Sequence, residues 1–351
     1  MAPGAVQHDT TPANSNNGTA LKATARSFHP TGTPDPAKYH AASSQEVVVD
    51  HASGIPAPPA MSTRPLWQKA QPMHWILDWD GTITRRDTLD ALVAISAAHK
   101  PAFPTMHHWQ RVSQAYMDDY SALPPIIDAE KRLVRQQRDV EQRSLDRVHA
   151  SAIFSGLTKQ AIEEGAKHAI QASDVQLRHG FSSFHRQYIQ ARPSAAFAIL
   201  SVNWSRHFIR SCLAASGIAV PEHAVLSNEL HGIAAGNPSS GRIVSAVTGD
   251  EVTIVSSGDK LQKFKHMQQS NRPSVYVGDS PTDIECLLAA DLGICIRDDP
   301  MGSSQRKLAE ALETLQVACP KLKDCTQLGE RSVVWATDFA EILEWLQINS
   351  L

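Results

Sequence analysis

Residues 76–84 read Ile-Leu-Asp-Trp-Asp-Gly-Thr-Ile-Thr. The first two are apolar, which is typical of the end of a buried strand, and Gly81 then breaks the strand into a loop. If the strand continues, its two-residue period turns Asp78 and Asp80 to the same face. Two carboxylates that close repel each other, so without a cation one of them stays protonated. The stretch therefore predicts a metal site, or a nucleophile beside a proton donor; its simplest alternative is a strand end with a glycine turn.

A second acidic strand end follows about two hundred residues later. Residues 276–283 read Tyr-Val-Gly-Asp-Ser-Pro-Thr-Asp, an apolar run followed by Asp279 and Asp283. In open α/β sheets, ligands bind at the carboxyl ends of the parallel strands, so two such strand ends can meet at one edge. Because no His or Cys cluster lies nearby, an all-oxygen ligand set favours Mg²⁺ over zinc. Taken alone, Asp279 also suits a helix N-cap.

The second half of the chain alternates short apolar runs with helical patterns. Residues 197–200 and 274–277 are runs of the kind that form buried parallel strands. The segments predicted around them are a helix over 205–215, a strand-rich stretch over 224–255, a helix from Lys260 and a closing amphipathic helix over 335–348. This alternation predicts an α/β fold with a doubly wound, mostly parallel sheet.

Two further segments have compositions of their own. Residues 1–60 hold eight of the 21 prolines and show no hydrophobic periodicity, so we predict a disordered N-terminal extension. Residues 87–190 repeat apolar side chains at helical spacing and predict a helical insertion. The predicted α/β core therefore comprises residues 61–86 and 191–351.

The overall composition limits the classes of partner. The 351 residues are 42% hydrophobic and 20% charged, as in globular proteins. A net charge of −3 gives no attraction to nucleic acid, and no apolar run is long enough to span a membrane, so we predict neither partner. The five cysteines contain no Cys-x-x-Cys motif, and no secretory leader is apparent. We therefore expect reduced thiols and a cytoplasmic protein, and leave a nuclear or mitochondrial location open.

In this order, the two acidic motifs resemble those of the haloacid dehalogenase-like hydrolase superfamily. Asp-x-Asp-Gly-Thr at 78–82 is similar to the first motif of that superfamily, and Gly-Asp-x-x-x-Asp at 278–283 to the fourth. In the position of the helical insertion and in the sequence Asp-Gly-Thr-Ile-Thr, the chain resembles the phosphoserine phosphatase-like branch. The resemblance implies a Rossmann-like core, a helical cap inserted between the first and second motifs, and Mg²⁺ as cofactor.

The resemblance also implies a role for each acidic residue. Asp78 is the expected nucleophile, and Asp80 is the expected proton donor and acceptor. Mg²⁺ would be held by the Asp78 carboxylate, the Asp80 backbone carbonyl and the Asp279 carboxylate. Asp283 would be a further metal ligand or a residue that holds one.

Two more catalytic residues follow from the same resemblance. Ser201, directly after the run 197–200, matches the second motif, whose hydroxyl binds a phosphoryl oxygen. A serine there also suits a helix cap, and we expect the next helix to point its N-terminus toward the phosphate. Lys260 is the expected lysine of the third motif, with Lys263 on the same helix as its rival.

Three positions differ from phosphoserine phosphatases and bear on the substrate. Asp87 stands where those enzymes carry a Glu that holds the substrate's amino group. After the serine, where they carry a Gly-Gly pair, this chain has Val202-Asn203-Trp204-Ser205, which includes Asn203 and Trp204. We expect all three to contact the substrate, although Asp87 also suits a helix start and Trp204 a core position. Phosphoserine is therefore one option among several small phosphorylated metabolites. The oligomeric state stays open.

The predicted function is a magnesium-dependent phosphomonoesterase that hydrolyses a small phosphorylated metabolite through an aspartyl-phosphate on Asp78. One alternative is a phosphotransferase of the same fold, which passes the phosphoryl group to an acceptor other than water. Another is a catalytically idle relative that acts as a binding or regulatory protein. Intact Asp78, Asp80 and Asp279 argue against the idle protein, because it has no reason to keep repelling carboxylates.

Overall fold

A computed structural model of the chain describes residues 72–122, 132–192, 196–246, 254–268, 272–325 and 332–349. The disordered extension predicted over 1–60 lies outside these ranges. None of the helices in the described ranges combines the length and the apolarity that a membrane crossing requires.

Six of the strands in the described residues form one parallel sheet, in the order β3-β2-β1-β6-β7-β8. These strands are β1 (His74–Leu77), β2 (Ala196–Leu200), β3 (Val225–Leu226), β6 (Ser274–Gly278), β7 (Leu292–Ile296) and β8 (Ser332–Ala336). Two short strands, β4 (Asn228–Leu230) and β5 (Ile243–Ser245), pair antiparallel beside it. The predicted α/β class with a doubly wound sheet is confirmed.

Helices connect these strands and cover the sheet. They are α1 (Leu89–His99), α2 (Thr105–Ser121), α3 (Arg132–Ser151), α4 (Lys159–Gln171), α5 (Phe181–Phe184), α6 (Arg206–Ala215), α7 (Ser257–Met267), α8 (Ile284–Ala289), α9 (Ser303–Thr314) and α10 (Phe339–Ile348). A turn, Trp79–Ile83, follows β1 after Asp78, with an extended backbone at Asp80 and a left-handed one at Gly81.

The strand order places a crevice beside β1. From β1 the chain continues to β2 and β3 on one side of it, and later to β6, β7 and β8 on the other side. In open α/β sheets, ligands bind outside the carboxyl ends of the strands where the order reverses in this way. The residues that follow β1, β2 and β6 therefore face one common crevice.

Both faces of the sheet are buried, and β1 shows this by its alternation. Trp75 and Leu77 belong to one apolar cluster, whereas Ile76 between them belongs to another. Successive side chains of a strand point to opposite faces, so the two clusters cover the two faces of the sheet. This is why the parallel strands appear in the sequence as continuous apolar runs.

The helices α1 to α4 lie between β1 and β2 in the chain. Helix α1 packs on α4, α2 on α3, and α4 along α6. A single apolar cluster includes Leu92 from α1 and Phe154 from the turn between α3 and α4, together with Leu77 from the sheet. The short α5 packs instead against α10. The boundaries of the predicted cap, 87–190, stay a prediction.

Two predicted elements differ in their limits. The closing helix begins at Phe339, not near residue 335, because Asp338 caps it by accepting the amide of Glu341 at 2.9 Å. The preceding Ser-Val-Val-Trp-Ala run forms β8, an edge strand that the sequence pattern did not predict. Helix α7 begins at Ser257, so Lys260 lies in its first turn instead of opening it.

Candidate active site

Carboxylates from two adjacent strands meet in the crevice beside β1. Asp78 follows β1, Asp279 follows β6, and Asp283 comes one turn later. One oxygen from each of the three lies within 4.8 Å of the others, and all three residues are buried. A backbone hydrogen bond from the Asp78 amide to the Val277 carbonyl, at 2.9 Å, joins the ends of β1 and β6 and so fixes the two acidic motifs side by side.

Lys260 reaches this cluster from α7. Its ammonium nitrogen lies 2.9 Å from Asp78 Oδ1 and 2.7 Å from Asp283 Oδ1, and its side chain is 0% exposed. Burial by itself lowers the pKa of a lysine, but the Asp283 and Asp78 carboxylates outweigh burial and raise the pKa of Lys260. Lys260 therefore stays charged, and it is the lysine that contacts the acidic cluster, whereas Lys263 on the same helix has no such contact among the described residues.

The cluster holds more negative charge than one lysine offsets. Burial first, and then repulsion from Asp283, raises the pKa of Asp78 to about 7 against the opposing effect of Lys260. Burial, with repulsion from Asp283 and Asp78, raises the pKa of Asp279 well above its usual value. Hard carboxylate oxygens crowded in this way suit a small divalent cation, so the residues present fit Mg²⁺.

Asp283 has partners on both of its oxygens. Oδ1 accepts from Lys260 and from the Tyr276 hydroxyl at 2.7 Å each. Oδ2 accepts from the amides of Asp279 at 3.2 Å and Ser280 at 3.1 Å, and from the Ser280 hydroxyl at 3.0 Å. These bonds fix Lys260 and the loop that carries Asp279. Of the two roles expected for Asp283, metal ligand or residue that holds a metal ligand, they favour the second.

Gly81 allows the turn after β1 to lie against Asp279. Its φ is +73°, and a Cβ at this position would lie 2.3 Å from Asp279 Oδ2. Next to it, the Thr82 hydroxyl donates to Asp279 Oδ1 at 3.2 Å. The glycine of the first motif thus provides both a left-handed backbone and space for the carboxylate.

The Asp80 side chain lies outside the cluster of three carboxylates. The two-residue period that would turn it to the face of Asp78 does not apply, because β1 ends at Leu77 and the left-handed Gly81, with φ +73°, turns the chain directly after Asp80. Its Oδ1 accepts from the Thr88 amide at 2.8 Å and the Thr88 hydroxyl at 2.6 Å, and its Oδ2 accepts from the Asn203 side chain at 2.9 Å. Burial first, and then the Asp87 carboxylate, raises the pKa of Asp80 to about 7.

Ser201 and Asn203 follow β2 at the same edge of the sheet. Ser201 is 0% exposed, and its hydroxyl accepts the Asn203 amide at 3.0 Å. The Asn203 side chain is also occupied, because its oxygen accepts the Ser205 amide at 3.1 Å while its nitrogen binds Asp80. The cap of α6 is Ser205, whose hydroxyl accepts the Phe208 amide at 3.0 Å. The helix-cap interpretation of Ser201 is therefore wrong.

A buried carboxylate already lies at the N-terminus of α6. Glu229 on β4 accepts the His207 amide and the Ser205 hydroxyl, each at 2.8 Å. Burial raises the pKa of Glu229, while these donors oppose that shift. Glu229 thus accepts one of the amides at this helix end, and the expectation that the helix points its N-terminus toward the phosphate stays a prediction.

Asp87 and Trp204, both expected to contact the substrate, differ in their burial and their contacts. Asp87 is exposed, and its Oδ1 accepts the Leu89 amide at 2.7 Å, so it does help to start α1. Trp204 is half-buried, and its ring meets those of Trp109 at 6.0 Å and Phe154 at 5.9 Å edge to face. These contacts are the core packing that the alternative interpretation of Trp204 foresaw.

Four residues that shape this site were not predicted from the sequence. They are Thr82, Thr88, Tyr276 and Arg178. Thr82 could have been found, because it belongs to the Asp-x-Asp-Gly-Thr motif. No sequence signal identifies the other three, whose roles depend on what the fold brings beside them.

The chain is similar to curated proteins and to solved structures. No family model matches it. The CTO1 family protein C17G9.12c of Schizosaccharomyces pombe is 30% identical over 241 residues, which cover 65% of this chain and 82% of that protein. The mitochondrial bifunctional TH2 protein of Arabidopsis thaliana is 27% identical over 209 residues, covering 54% of this chain and 31% of the much longer protein.

Two solved structures illustrate the similarity in fold. A phosphoserine phosphohydrolase-like protein from Francisella tularensis matches with a TM-score of 0.46 and 16% identity, covering 78% of this chain and 98% of that one. A HAD family hydrolase from Salmonella enterica matches with a TM-score of 0.44 and 15% identity, covering 80% and 74%. The α/β core that the haloacid dehalogenase-like resemblance implies is confirmed by the doubly wound sheet. On the extent of its similarity to the fission yeast protein, the chain belongs to the CTO1 family.

Proposed function

We propose that this protein is a magnesium-dependent phosphomonoesterase that hydrolyses a small phosphorylated metabolite. The observation that carries the proposal is the contact between the buried Lys260 and Asp78, which lies beside Asp279. The Asp80 carboxylate is held apart from this cluster by the Asn203 side chain. Two carboxyl groups with different surroundings at one site can take the different roles of nucleophile and acid–base group.

In the proposed reaction, an oxygen of Asp78 attacks the phosphorus and the bond to the ester oxygen breaks. This leaves an aspartyl-phosphate on Asp78 and releases the alcohol. Lys260 favours the ionised, nucleophilic form of Asp78 because its ammonium lies 2.9 Å away. Water then attacks the phosphorus, and phosphate leaves as Asp78 is regenerated.

Asp80 would donate the proton that the leaving oxygen takes, and would then accept the proton of the attacking water. Its pKa of about 7 suits both steps, since a group is an efficient proton donor and acceptor when its pKa lies near the working pH. The Thr88 hydroxyl and the Asn203 amide hold its two oxygens in place. We therefore assign Asn203 to the positioning of Asp80, in addition to the substrate contact that its place in the sequence suggests.

The Asp78 and Asp279 carboxylates and the Asp80 backbone carbonyl are the groups we propose to hold Mg²⁺. When bound, the ion would offset the repulsion in this cluster and polarise the phosphoryl group. Asp283 would hold Lys260 and the Asp279 loop, since both its oxygens are already bonded. Charge on the phosphoryl oxygens would be neutralised by Lys260, by the Ser201 hydroxyl and by backbone amides near Trp79 and Asn203. For this, the Asn203 amide would exchange its hydrogen bond to the Ser201 hydroxyl for one to the phosphoryl group.

Substrate choice would depend on the side chains around Asp80. Asp87 is exposed, and among the described residues only its Oδ1 accepts a hydrogen bond, while the Trp204 ring packs against those of Trp109 and Phe154. The helices α1 to α4 would cover the site as a cap and exclude water from it.

The test uses the full-length protein with p-nitrophenyl phosphate and then with a panel of phosphorylated metabolites, in Mg²⁺ and in EDTA. We expect turnover that needs Mg²⁺ and that falls by roughly a thousandfold or more in Asp78→Asn. Asp291→Asn is the matched control, because Asp291 binds Ser274 at the start of β6, at the other end of that strand from Asp279. A folded wild-type protein without turnover on any ester would contradict the proposal.

The same assay separates the alternatives. A phosphotransferase would give more alcohol product than free phosphate when glycerol or a sugar is added as acceptor. An idle binding protein would bind a phosphate ester without releasing phosphate, equally in the wild type and in Asp78→Asn.

A further inference from the structure

Arg178 lies where the chain returns from the helices α1 to α4 to the sheet. The outgoing and returning segments run antiparallel, with a bridge between Thr84 and Leu177. The Arg85 amide donates to the Gln176 carbonyl at 2.9 Å, and the Arg178 amide donates to the Ile83 carbonyl at 2.7 Å. The pairing carries the Arg178 side chain, which is 3% exposed, beneath the catalytic turn 79–83.

The guanidinium of Arg178 makes hydrogen bonds in three directions. Nε donates to the Thr82 carbonyl at 3.0 Å, and Nη2 donates to the Gly81 carbonyl at 2.5 Å. Nη1 donates to Asp298 Oδ1 at 2.6 Å, in the loop after β7. The planar, rigid fork of arginine can serve such divergent acceptors at once, whereas the ammonium of lysine is a point charge.

These bonds continue on both sides of Arg178. On one side, Thr82 is bonded through its hydroxyl to Asp279, at 3.2 Å. On the other side, Gln305 at the start of α9 donates to Asp298 Oδ2 at 2.8 Å and accepts the Asp298 amide at 2.9 Å. Arg178, Asp298 and Gln305, which we call the Arg178 clamp, thus connect α9 with the turn that adjoins Asp279.

We propose that Arg178 is a positioning residue, which fixes the turn 79–83 and, through Thr82, the carboxylate of Asp279 in the geometry that binds Mg²⁺. Groups that orient metal ligands from behind typically change metal affinity or activity by about 10–100-fold when they are removed. The inference rests on the proposed magnesium site, and it assigns a function to a residue far from both acidic motifs. Because Arg178 also lies on the returning segment, it couples the helical region to this geometry.

A purely structural role of Arg178 makes a different prediction. If the clamp only stabilises the chain return, its variants unfold more easily but bind Mg²⁺ as the wild type does once folded. If it positions Asp279, Mg²⁺ affinity and kcat fall together, while KM for the ester stays nearly constant, since the clamp touches no group proposed to bind substrate.

The experiment measures Mg²⁺ binding to full-length protein by isothermal titration calorimetry, with kcat and KM for p-nitrophenyl phosphate alongside. We expect Arg178→Lys to weaken Mg²⁺ binding about 10–100-fold and to lower kcat similarly, with KM within about threefold. Gln305→Leu loosens the far end of the clamp, and we expect a smaller loss in the same direction. Arg147→Lys is the matched control, because Arg147 binds Asp119 at 2.6 Å between α2 and α3, and should bind Mg²⁺ like the wild type.

Each outcome decides the proposal. The proposal is overturned if a folded Arg178→Lys protein binds Mg²⁺ within about twofold of the wild-type affinity. If Arg178→Lys does not fold, the proposal is overturned by an unchanged Mg²⁺ affinity in Gln305→Leu. If the wild type binds Mg²⁺ but hydrolyses no ester, only the proposed phosphatase activity is overturned. The Mg²⁺ affinities of the variants then still test the positioning role of Arg178. A wild type that binds no Mg²⁺ overturns both proposals.

Discussion

Lys260 and Asp78 form an ion pair at 2.9 Å in which the lysine side chain is 0% and the aspartate side chain 5% exposed. The lysine lies on α7 and the aspartate follows β1, so the pair ties a covering helix to the central part of the sheet. Removing two charges from water is costly, and such a pair persists only where further charges and hydrogen bonds support it. Asp283 provides that support on the other side of the ammonium.

Replacing Lys260 should therefore affect stability as well as activity. We expect Lys260→Met to lower the free energy of unfolding by about 3–5 kcal/mol in EDTA, because it leaves two buried carboxylates without their cation. We also expect added Mg²⁺ to recover part of this loss. Lys263→Met, on the same helix, should change the free energy by no more than about 0.5 kcal/mol in urea unfolding. Equal stability of the two variants would show that the buried pair contributes nothing.

Stability without metal should fall as the pH rises. The pKa of Asp78 and that of Asp80 are each raised to about 7, whereas both are about 3.9 in an unfolded chain. The folded state therefore holds its protons more tightly, and the stability present below about pH 4 is lost progressively up to about pH 7. We expect urea unfolding in EDTA to show this loss between pH 5 and 7, and saturating Mg²⁺ to reduce it. A metal-free stability that rises over this range would contradict the assignment.

Gly81→Ala should disrupt the site by contact and not only by strain. The left-handed backbone at φ +73° costs an alanine about 1 kcal/mol or more, and its Cβ would also lie 2.3 Å from Asp279 Oδ2. Gly217→Ala is the matched control, because Gly217 has φ +77° and, among the described residues beyond its chain neighbours, no heavy atom lies within 4 Å of where its Cβ would be. We expect both variants to lose stability, but only Gly81→Ala to lose Mg²⁺ affinity in calorimetry. Equal Mg²⁺ affinities would show that Asp279 has room to move.

Thr88→Val should change the acid–base behaviour of Asp80. It removes a 2.6 Å hydrogen bond to the Asp80 carboxylate and the acceptor of the Trp79 ring N–H at 3.1 Å. Because that bond favours the ionised form, the pKa of Asp80 should rise above about 7, and the alkaline limb of kcat/KM should move to higher pH.

The same substitution should also cost about 1–3 kcal/mol of stability, since the buried Trp79 N–H loses its partner. Thr314→Val is the control, because among the described residues the Thr314 hydroxyl bonds only the Glu310 carbonyl within α9. An unchanged pH profile in Thr88→Val would remove Asp80 from the acid–base role.

The parts of the site that sequence could predict are those set by local pattern. An apolar run that ends in a carboxylate marks the end of a parallel strand, and such ends share one edge of the sheet. This argument brings Asp78, Asp279 and Ser201 to one crevice without any knowledge of side-chain contacts. It does not extend to Asp80, because β1 ends at Leu77 and Gly81 turns the chain, so the strand period no longer applies there.

The sequence by itself determined the alternation that makes the sheet, the acidic strand ends that make the site, and the lysine in the helix before the second acidic strand end. Only the tertiary structure decided the partners of these groups. Asn203 and Asp80 are 123 residues apart, and Arg178 and Gly81 are 97 apart, yet each pair is joined by a hydrogen bond. Periodicity reports which face a residue takes within its own element, whereas the contact between two elements depends on how the whole core packs.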